Sequence, residues 1–327
     1  MFNFCMLFDS NYLYKGMTLY ASLVKHSSPF HLWILCKDDL TYEILKKMNL
    51  AYVTLIACKE FEHERLLVLK KERSVPEYAW TLGSSLCWYM LQRIKEGEMI
   101  TYLDGDMYFF DNPKIIFNEI GNASIAIIEH RLMGERKALE KFVGTYNVAW
   151  VSFRKDAEGM KACEWWKERV LEWCGAYFEN GKLGDQHYLN DWTTRFNNLC
   201  VIKHEGADVA PWNITNRRIT IENSKIYIGK VPLVFYHFHN FILINKHRYI
   251  PASAYFIPRI ARTTIYKEYF AEMKEVIKRV AMVKPEFNYG LKKKYVKSLI
   301  ASLLFRSKIL DICFIKYSRY KIQKTYK

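Results

Sequence analysis

An α/β fold with a mostly parallel central sheet is what this 327-residue sequence predicts, and three observations predict it. Short apolar runs, rich in aromatic and β-branched residues, alternate with stretches of helical spacing. Polar clusters stand where those runs stop. Half of the residues are hydrophobic and a quarter charged, with only 14 Gly and 8 Pro, which allows a sizeable core and excludes disordered, collagen-like and low-complexity classes.

The first run, Phe2 to Phe8, reads as a buried strand ending at Asp9-Ser10-Asn11, a cluster suited to turns and helix caps. Met17, Leu19, Tyr20, Leu23 and Val24 then have helical spacing, and Ser27-Ser28-Pro29 stops that helix before a second strand, Phe30 to Leu35. Asp38-Asp39 opens a helix to about Met48, and Tyr52 to Ile56 is a third strand. Such alternation builds parallel sheets covered on both faces. A charged connector leads to a helix over Trp80 to Ile94, a break at Gly97 and a strand over Met99 to Leu103. Further strands are expected at Ser124 to Ile128 and Val148 to Phe153, with a Trp-rich helix from about Glu158 to Trp173. No repeat or Pro/Gly/Ser-rich linker is visible before about residue 283, so one domain over 1–283 and a tail over 284–327 are expected.

The formal net charge of +15 is concentrated in that tail, where twelve Lys and Arg face only Glu286 and Asp311. A basic tail implies an anionic partner, either a lipid surface or nucleic acid. Leu291, Tyr295, Leu299, Leu303 and Leu310 share one side of an expected helix from Leu291 to Tyr317, and interleaved aromatic residues favour an interfacial membrane anchor. Each basic group near an anionic leaflet would contribute about 1 kcal/mol. A solvated or core-packed helix is the plainer alternative; nothing resembles a nucleic-acid-binding motif, so no nucleic acid is expected. Eight cysteines without a C-x-x-C pair predict reduced thiols. The first residues lack a signal-peptide pattern and no uncharged run approaches the roughly 20 residues that span a bilayer, so a cytoplasmic, peripherally membrane-attached protein is expected.

Asp104-Gly105-Asp106 carries the chemistry, because two carboxylates at the end of a buried strand are costly without a cation or donors. Hard oxygen ligands suit Mg²⁺ or Mn²⁺ bridging to nucleotide phosphates, and ligands in α/β sheets bind beyond the carboxyl ends of strands. A solvated turn is the alternative.

The run Tyr102-Leu103-Asp104-Gly105-Asp106-Met107 resembles the metal-binding motif of GT-A-fold nucleotide-sugar glycosyltransferases, most closely the family-8-type enzymes. Four more segments follow the family's order over residues 1–250. Asp9-Ser10-Asn11-Tyr12 resembles the first-strand segment in which Asp9 and Asn11 would contact the nucleoside; a helix-capping cluster is the other reading. Tyr146-Asn147-Val148-Ala149-Trp150-Val151 is similar to the strand whose Asn, here Asn147, faces the donor sugar, with Ala149 where Gly is usual. Gly184-Asp185-Gln186-His187-Tyr188-Leu189-Asn190 resembles the segment placing Asp185 and Gln186 near the anomeric carbon, where they would stabilise developing positive charge; Asp185 could equally cap a helix containing Tyr188, Leu189 and Trp192. Tyr236-His237-Phe238-His239 is similar to the segment supplying the third metal ligand. Alternation puts His237 and His239 on one face, and the resemblance selects His237.

Departures are visible too. Gly83-Ser84-Ser85 occupies the helix region where many members carry a donor-reaching Arg, and Lys246 is the nearest candidate for the family's diphosphate-holding Lys. Glu129-His130-Arg131 and Trp212 are candidate sugar or acceptor contacts, the alternatives being a solvated loop and a core-packed indole.

The resemblance implies a GT-A-type, Rossmann-like fold and a Mn²⁺- or Mg²⁺-dependent hexosyltransferase. It would use a nucleotide-diphosphate sugar, a UDP-sugar above all, with retention at C1. The acceptor would be a saccharide or glycolipid in surface-polysaccharide assembly. The competing readings are a non-catalytic membrane-associated sugar-nucleotide or glycan-binding protein and a nucleotidyltransferase. The latter usually carries a Gly-rich basic loop, which Phe8-Asp9-Ser10-Asn11-Tyr12 is not.

Overall fold

The computed structural model describes residues 1–27 and 29–292. Most of the expected tail helix therefore lies outside the described residues.

The chain begins with β1 (Phe2–Phe8), α1 (Leu13–His26), β2 (Phe30–Cys36), α2 (Asp39–Met48) and β3 (Val53–Ala57). These elements follow the expected alternation closely. In β1 the side chains of Phe4, Met6 and Phe8 enter one core cluster and those of Cys5 and Leu7 enter the other, so both faces are covered. A strand buried on both sides has no polar alternation, which is why it reads as a continuous apolar run.

The charged connector differs from expectation. It holds two short helices, α3 (Cys58–Phe61) and α4 (Glu64–Glu72), and α5 (Val75–Leu91) begins five residues before Trp80. In α4 only Leu66 is buried, so its surface-facing charges hide the helical period. Ser74 and Glu77 form a capping box with Pro76 in the first turn, which sets the start of α5.

Then come β4 (Met99–Leu103), β5 (Met107–Phe109), α6 (Lys114–Ile120), β6 (Ile125–Glu129), α7 (Glu140–Val143), β7 (Tyr146–Arg154), α8 (Ala157–Glu172) and β8 (Leu199–Ile202). Among the described residues a seven-stranded sheet has the order β3-β2-β1-β4-β7-β6-β8. β7 runs antiparallel to both neighbours while the other pairs are parallel. The expected α/β class and mostly parallel central sheet are thus present.

This reversal positions the site. The carboxyl ends of β1, β2, β4 and β6 share one edge, and β7 brings its amino end, Tyr146-Asn147, to that same edge beside Ile128 and Glu129. Trp150, fully buried in β7, stacks on Phe235 at 5.6 Å and packs on Phe4, Phe109 and Phe117. Strand Phe235–His237 pairs antiparallel with β5, laying His237 opposite Met107, one residue from Asp106. Helix Ile265–Val283 covers α1 and α2 on the same side of the sheet. Among the described residues no helix is long and apolar enough to cross a membrane.

Candidate metal and nucleotide site

Four loops leave the sheet at this edge, and a cavity of about 720 Å³ opens between them. Asp9 follows β1 directly, Lys37 follows β2, and Asp104 follows β4. The Asp9-Ser10-Asn11 cluster does not cap α1, whose N-cap position is Tyr12 with no side-chain cap bond. Instead the Asp9 carboxylate accepts the Asn11 N–H at 3.0 Å and lies 3.7 Å from Lys37 Nζ. Asp38 caps α2 through the Thr41 N–H at 2.7 Å and also accepts the Ser10 N–H at 2.8 Å, tying the two loops together.

At the centre, His237 Nε2 lies 3.1 Å from Asp106 Oδ1 and 3.9 Å from Asp104 Oδ2. One ligand atom from each of Asp104, Asp106 and His237 lies within 4.8 Å of the others. Two carboxylate oxygens and one imidazole nitrogen are a donor set that a hard to borderline divalent cation such as Mn²⁺ or Mg²⁺ fits. Burial, opposed by His237, pushes the Asp104 carboxyl up to about 6. Burial acts the same way on Asp106, but the charges of Lys15 and His237 outweigh it and hold Asp106 well below the usual range. Burial disfavours the His237 imidazolium, yet Asp106 and its hydrogen bond, with Asp208 and Asp104, push that histidine up to about 10.

Behind His237 lies Asp208, fully buried and carried on a loop with no motif of its own. Its Oδ2 accepts the Asn147 amide at 3.0 Å, and its Oδ1, with no other hydrogen bond, lies 3.7 Å from His237 Nδ1. A carboxylate behind the outer ring nitrogen directs the other nitrogen, with its lone pair, toward a metal. Asn147 lines the cavity and touches His237 Nδ1 at 3.3 Å, so it supports the histidine from the amino end of β7.

Asp185 sits at the N-cap position of a 3₁₀ turn, Gln186–Asp191, with no capping bond from its side chain. It lines the cavity, and burial, reinforced by Asp104, pushes its carboxyl up to about 8. Gln186 also lines the cavity while its amide donates to the Val143 carbonyl at 2.6 Å.

The remaining candidates divide. His130 lines the cavity, and its carbonyl accepts the Trp212 indole N–H at 2.8 Å. Trp212 lines the cavity too, as a mostly buried indole: it is 7 % exposed and meets His237 and His239 edge to face at 5.2 and 5.5 Å. Glu129 and Arg131 fall outside the cavity lining. Glu129 pairs with Lys203 at 2.7 Å, and Arg131 turns to the carbonyls of His204 and Ala207. Asn11 is exposed and Lys246 is exposed in the turn between strands Ile242–Asn245 and Arg248–Ile250, and neither is part of the cavity lining. The lysines that the fold brings to this edge are Lys37 and Lys15, whose Nζ lies 3.5 Å from Asp106 and 4.3 Å from the Tyr12 ring centre. Lys37 was open to the strand-end argument that singles out Asp104; Lys15, on the first turn of α1, had no such signal.

Fold and cluster together define an α/β protein with a mostly parallel sheet and a candidate divalent-cation centre at the carboxyl edge of that sheet. The chain belongs to the family of the Bacillus subtilis protein YfnD, described as uncharacterized, with 30% identity over 292 residues that cover 88% of this chain and 94% of YfnD. The B. subtilis protein YfnF, also described as uncharacterized, is 29% identical over 298 residues, 87% of this chain and 96% of YfnF. No protein-family model matches. Among solved structures, the apo form of the Streptococcus pneumoniae TIGR4 glycosyltransferase GlyE is similar with TM-score 0.48 and 14% identity, over 85% of this chain but less than two thirds, 64%, of GlyE. A galactosyltransferase LgtC complex with donor and acceptor sugar analogs is similar with TM-score 0.46 and 13% identity, over 84% of this chain and 95% of that one.

Proposed function

We propose that this protein is a Mn²⁺- or Mg²⁺-dependent glycosyltransferase that moves a hexose from a nucleotide-diphosphate sugar, a UDP-sugar by preference, to a saccharide or lipid-linked glycan. The observation that supports this most is the Asp104–Asp106–His237 cluster on the floor of a cavity with Asp9 on one wall and Asp185 on another. Asp104, Asp106 and His237 would hold the cation, which when bound acts as a Lewis acid on the leaving diphosphate. Asp9 and Asn11 would read the nucleoside. Lys37 and Lys15, rather than Lys246, would offset phosphate charge at this edge. Asp185, kept protonated near neutral pH by burial, would donate to a sugar hydroxyl, and its negative form would stabilise positive charge developing at C1. Gln186, bonded to Val143, would hold the turn that presents Asp185. Retention at C1, in which the leaving phosphate takes the acceptor proton, is part of this reading, as are surface-polysaccharide assembly and attachment of domain 1–283 to the cytoplasmic face of a membrane by the tail 284–327.

Thermal stability against UDP-, GDP-, ADP- and CMP-linked sugars, each with and without Mn²⁺, tests it. The expected result is a shift that needs both a UDP-sugar and the metal, followed by metal-dependent donor hydrolysis. No shift with any nucleotide would remove the donor site, and a shift without hydrolysis or transfer would leave a sugar-nucleotide-binding protein.

A further inference from the structure

We propose that residues 284–292 form a strap that positions the nucleoside end of the cavity, with Gly290 as the residue that seats it; this rests on reading Asp9 and Asn11 as nucleoside contacts. Helix Ile265–Val283 ends with the Lys284 N–H bonded to the Val280 carbonyl, and the chain then crosses the start of α1. Phe287, 3 % exposed, meets the Tyr14 ring edge to face at 5.2 Å, and the Tyr14 hydroxyl donates to the Phe287 carbonyl at 3.2 Å. Gly290 has φ +73°, and a Cβ there would collide with the backbone carbonyl of Asn11. Two residues later the Lys292 N–H bonds the Leu243 carbonyl at 3.1 Å.

The Asp9–Tyr12 loop therefore has three supports. Asp9 holds the Asn11 N–H, Asp38 holds the Ser10 N–H, and Gly290 lies against the Asn11 carbonyl from outside. A segment that merely covered α1 would not need a left-handed backbone and a missing side chain where it meets the Asn11 carbonyl.

The test uses full-length protein and two readouts: affinity for Mn²⁺ alone, and affinity for UDP in saturating Mn²⁺. Gly290→Ala is expected to weaken UDP binding about tenfold with Mn²⁺ affinity unchanged. Gly97→Ala is the control, because Gly97 has φ +78° with nothing within 4 Å of a Cβ, and both affinities should stay as in wild type. Tyr14→Phe removes only the hydroxyl that holds the strap; it should weaken UDP binding about threefold and serves if Gly290→Ala does not fold. Unchanged UDP affinity in the strap variants, an equal loss of Mn²⁺ and UDP binding, or the same UDP loss in Gly97→Ala overturns the strap. Wild-type protein that binds Mn²⁺ but no nucleoside diphosphate overturns the donor reading itself and the strap with it.

Discussion

Raising the pH from about 6 to about 8 is expected to tighten Mn²⁺ binding roughly a hundredfold. A metal takes only the deprotonated forms of its ligands, so binding releases protons and affinity rises with pH. In the metal-free protein His237 is pushed up to about 10, which leaves roughly one molecule in a thousand with a neutral imidazole near pH 7. At 1.36 kcal/mol per pH unit, that proton withholds about 4 kcal/mol of metal affinity. Each unit up to about pH 10 returns a factor of about ten. Asp104, pushed up to about 6, adds a second competing proton below that pH, and the dependence steepens toward a hundredfold per unit. Asp106, held low by Lys15 and His237, adds none. The cluster titrates as a unit, so the slope counts protons released by the three ligands together. Isothermal titration in two buffers of different ionisation enthalpy measures that count directly. About one proton per Mn²⁺ is expected near pH 7.5 and nearly two near pH 5. Affinity flat between pH 6 and 8, with no proton released, would refute the three-ligand site.

Asp106→Asn should abolish donor turnover and weaken Mn²⁺ binding at least a hundredfold while circular dichroism stays native; a variant with wild-type activity would sink the metal assignment. Asp208→Asn should cost about ten- to a hundredfold in metal affinity, the usual loss when the group behind a ligating histidine goes, and unchanged affinity would show that Asp208 supports only the loop. Trp150→Ala should destabilise the fold by about 3–5 kcal/mol in urea unfolding. Trp150→Phe should cost much less, because the buried indole N–H has no hydrogen-bond partner to lose. Removing residues 293–327, and so leaving the strap intact, should abolish sedimentation with anionic vesicles but not UDP binding, and unchanged sedimentation would count against an anchoring tail.

The parts of this architecture legible in the sequence are those with a local physical signature. β1, β2 and β4 are buried on both faces, so they read as apolar runs, and a carboxylate immediately after such a run stands at a ligand-binding edge whatever else the chain does. α4 was missed because it packs through little more than Leu66, although the Ser74–Glu77 capping box that starts α5 was there to be read. Asp208 was invisible for a different reason. It lies in a loop, and it reaches His237 only because β7 is reversed and Val209 bridges Tyr236. Alternation could not separate His237 from His239; pairing of strand Phe235–His237 with β5 does, by setting His237 beside Asp106. Lys246 is the nearest lysine after His237 in the sequence, and a tight hairpin turn carries it to solvent.

Charge at the centre of the site links these observations. Asp104, Asp106 and Asp208 surround one imidazole, Asp185 lies within the field of Asp104, and Lys15 pairs with Asp106, whereas Asp9 and Lys37 offset each other at 3.7 Å. Four carboxylates, with only the Lys15 ammonium at Asp106 and the Arg131 guanidinium acting on Asp208, cannot all stay ionised in a largely buried space without further positive charge. The chain can supply it as protons, on His237 and on Asp185, or accept it as a divalent cation. The proposed nucleoside diphosphate would add negative charge to the same space, which the proton-neutralised form is poorly placed to receive. Near neutral pH, where Asp104 is already ionised, a divalent cation brings two charges and displaces about one proton, from His237, and so turns the floor of the cavity toward attraction. The order in which the site would fill, metal before or with the nucleotide, therefore follows from the arrangement of its own carboxylates.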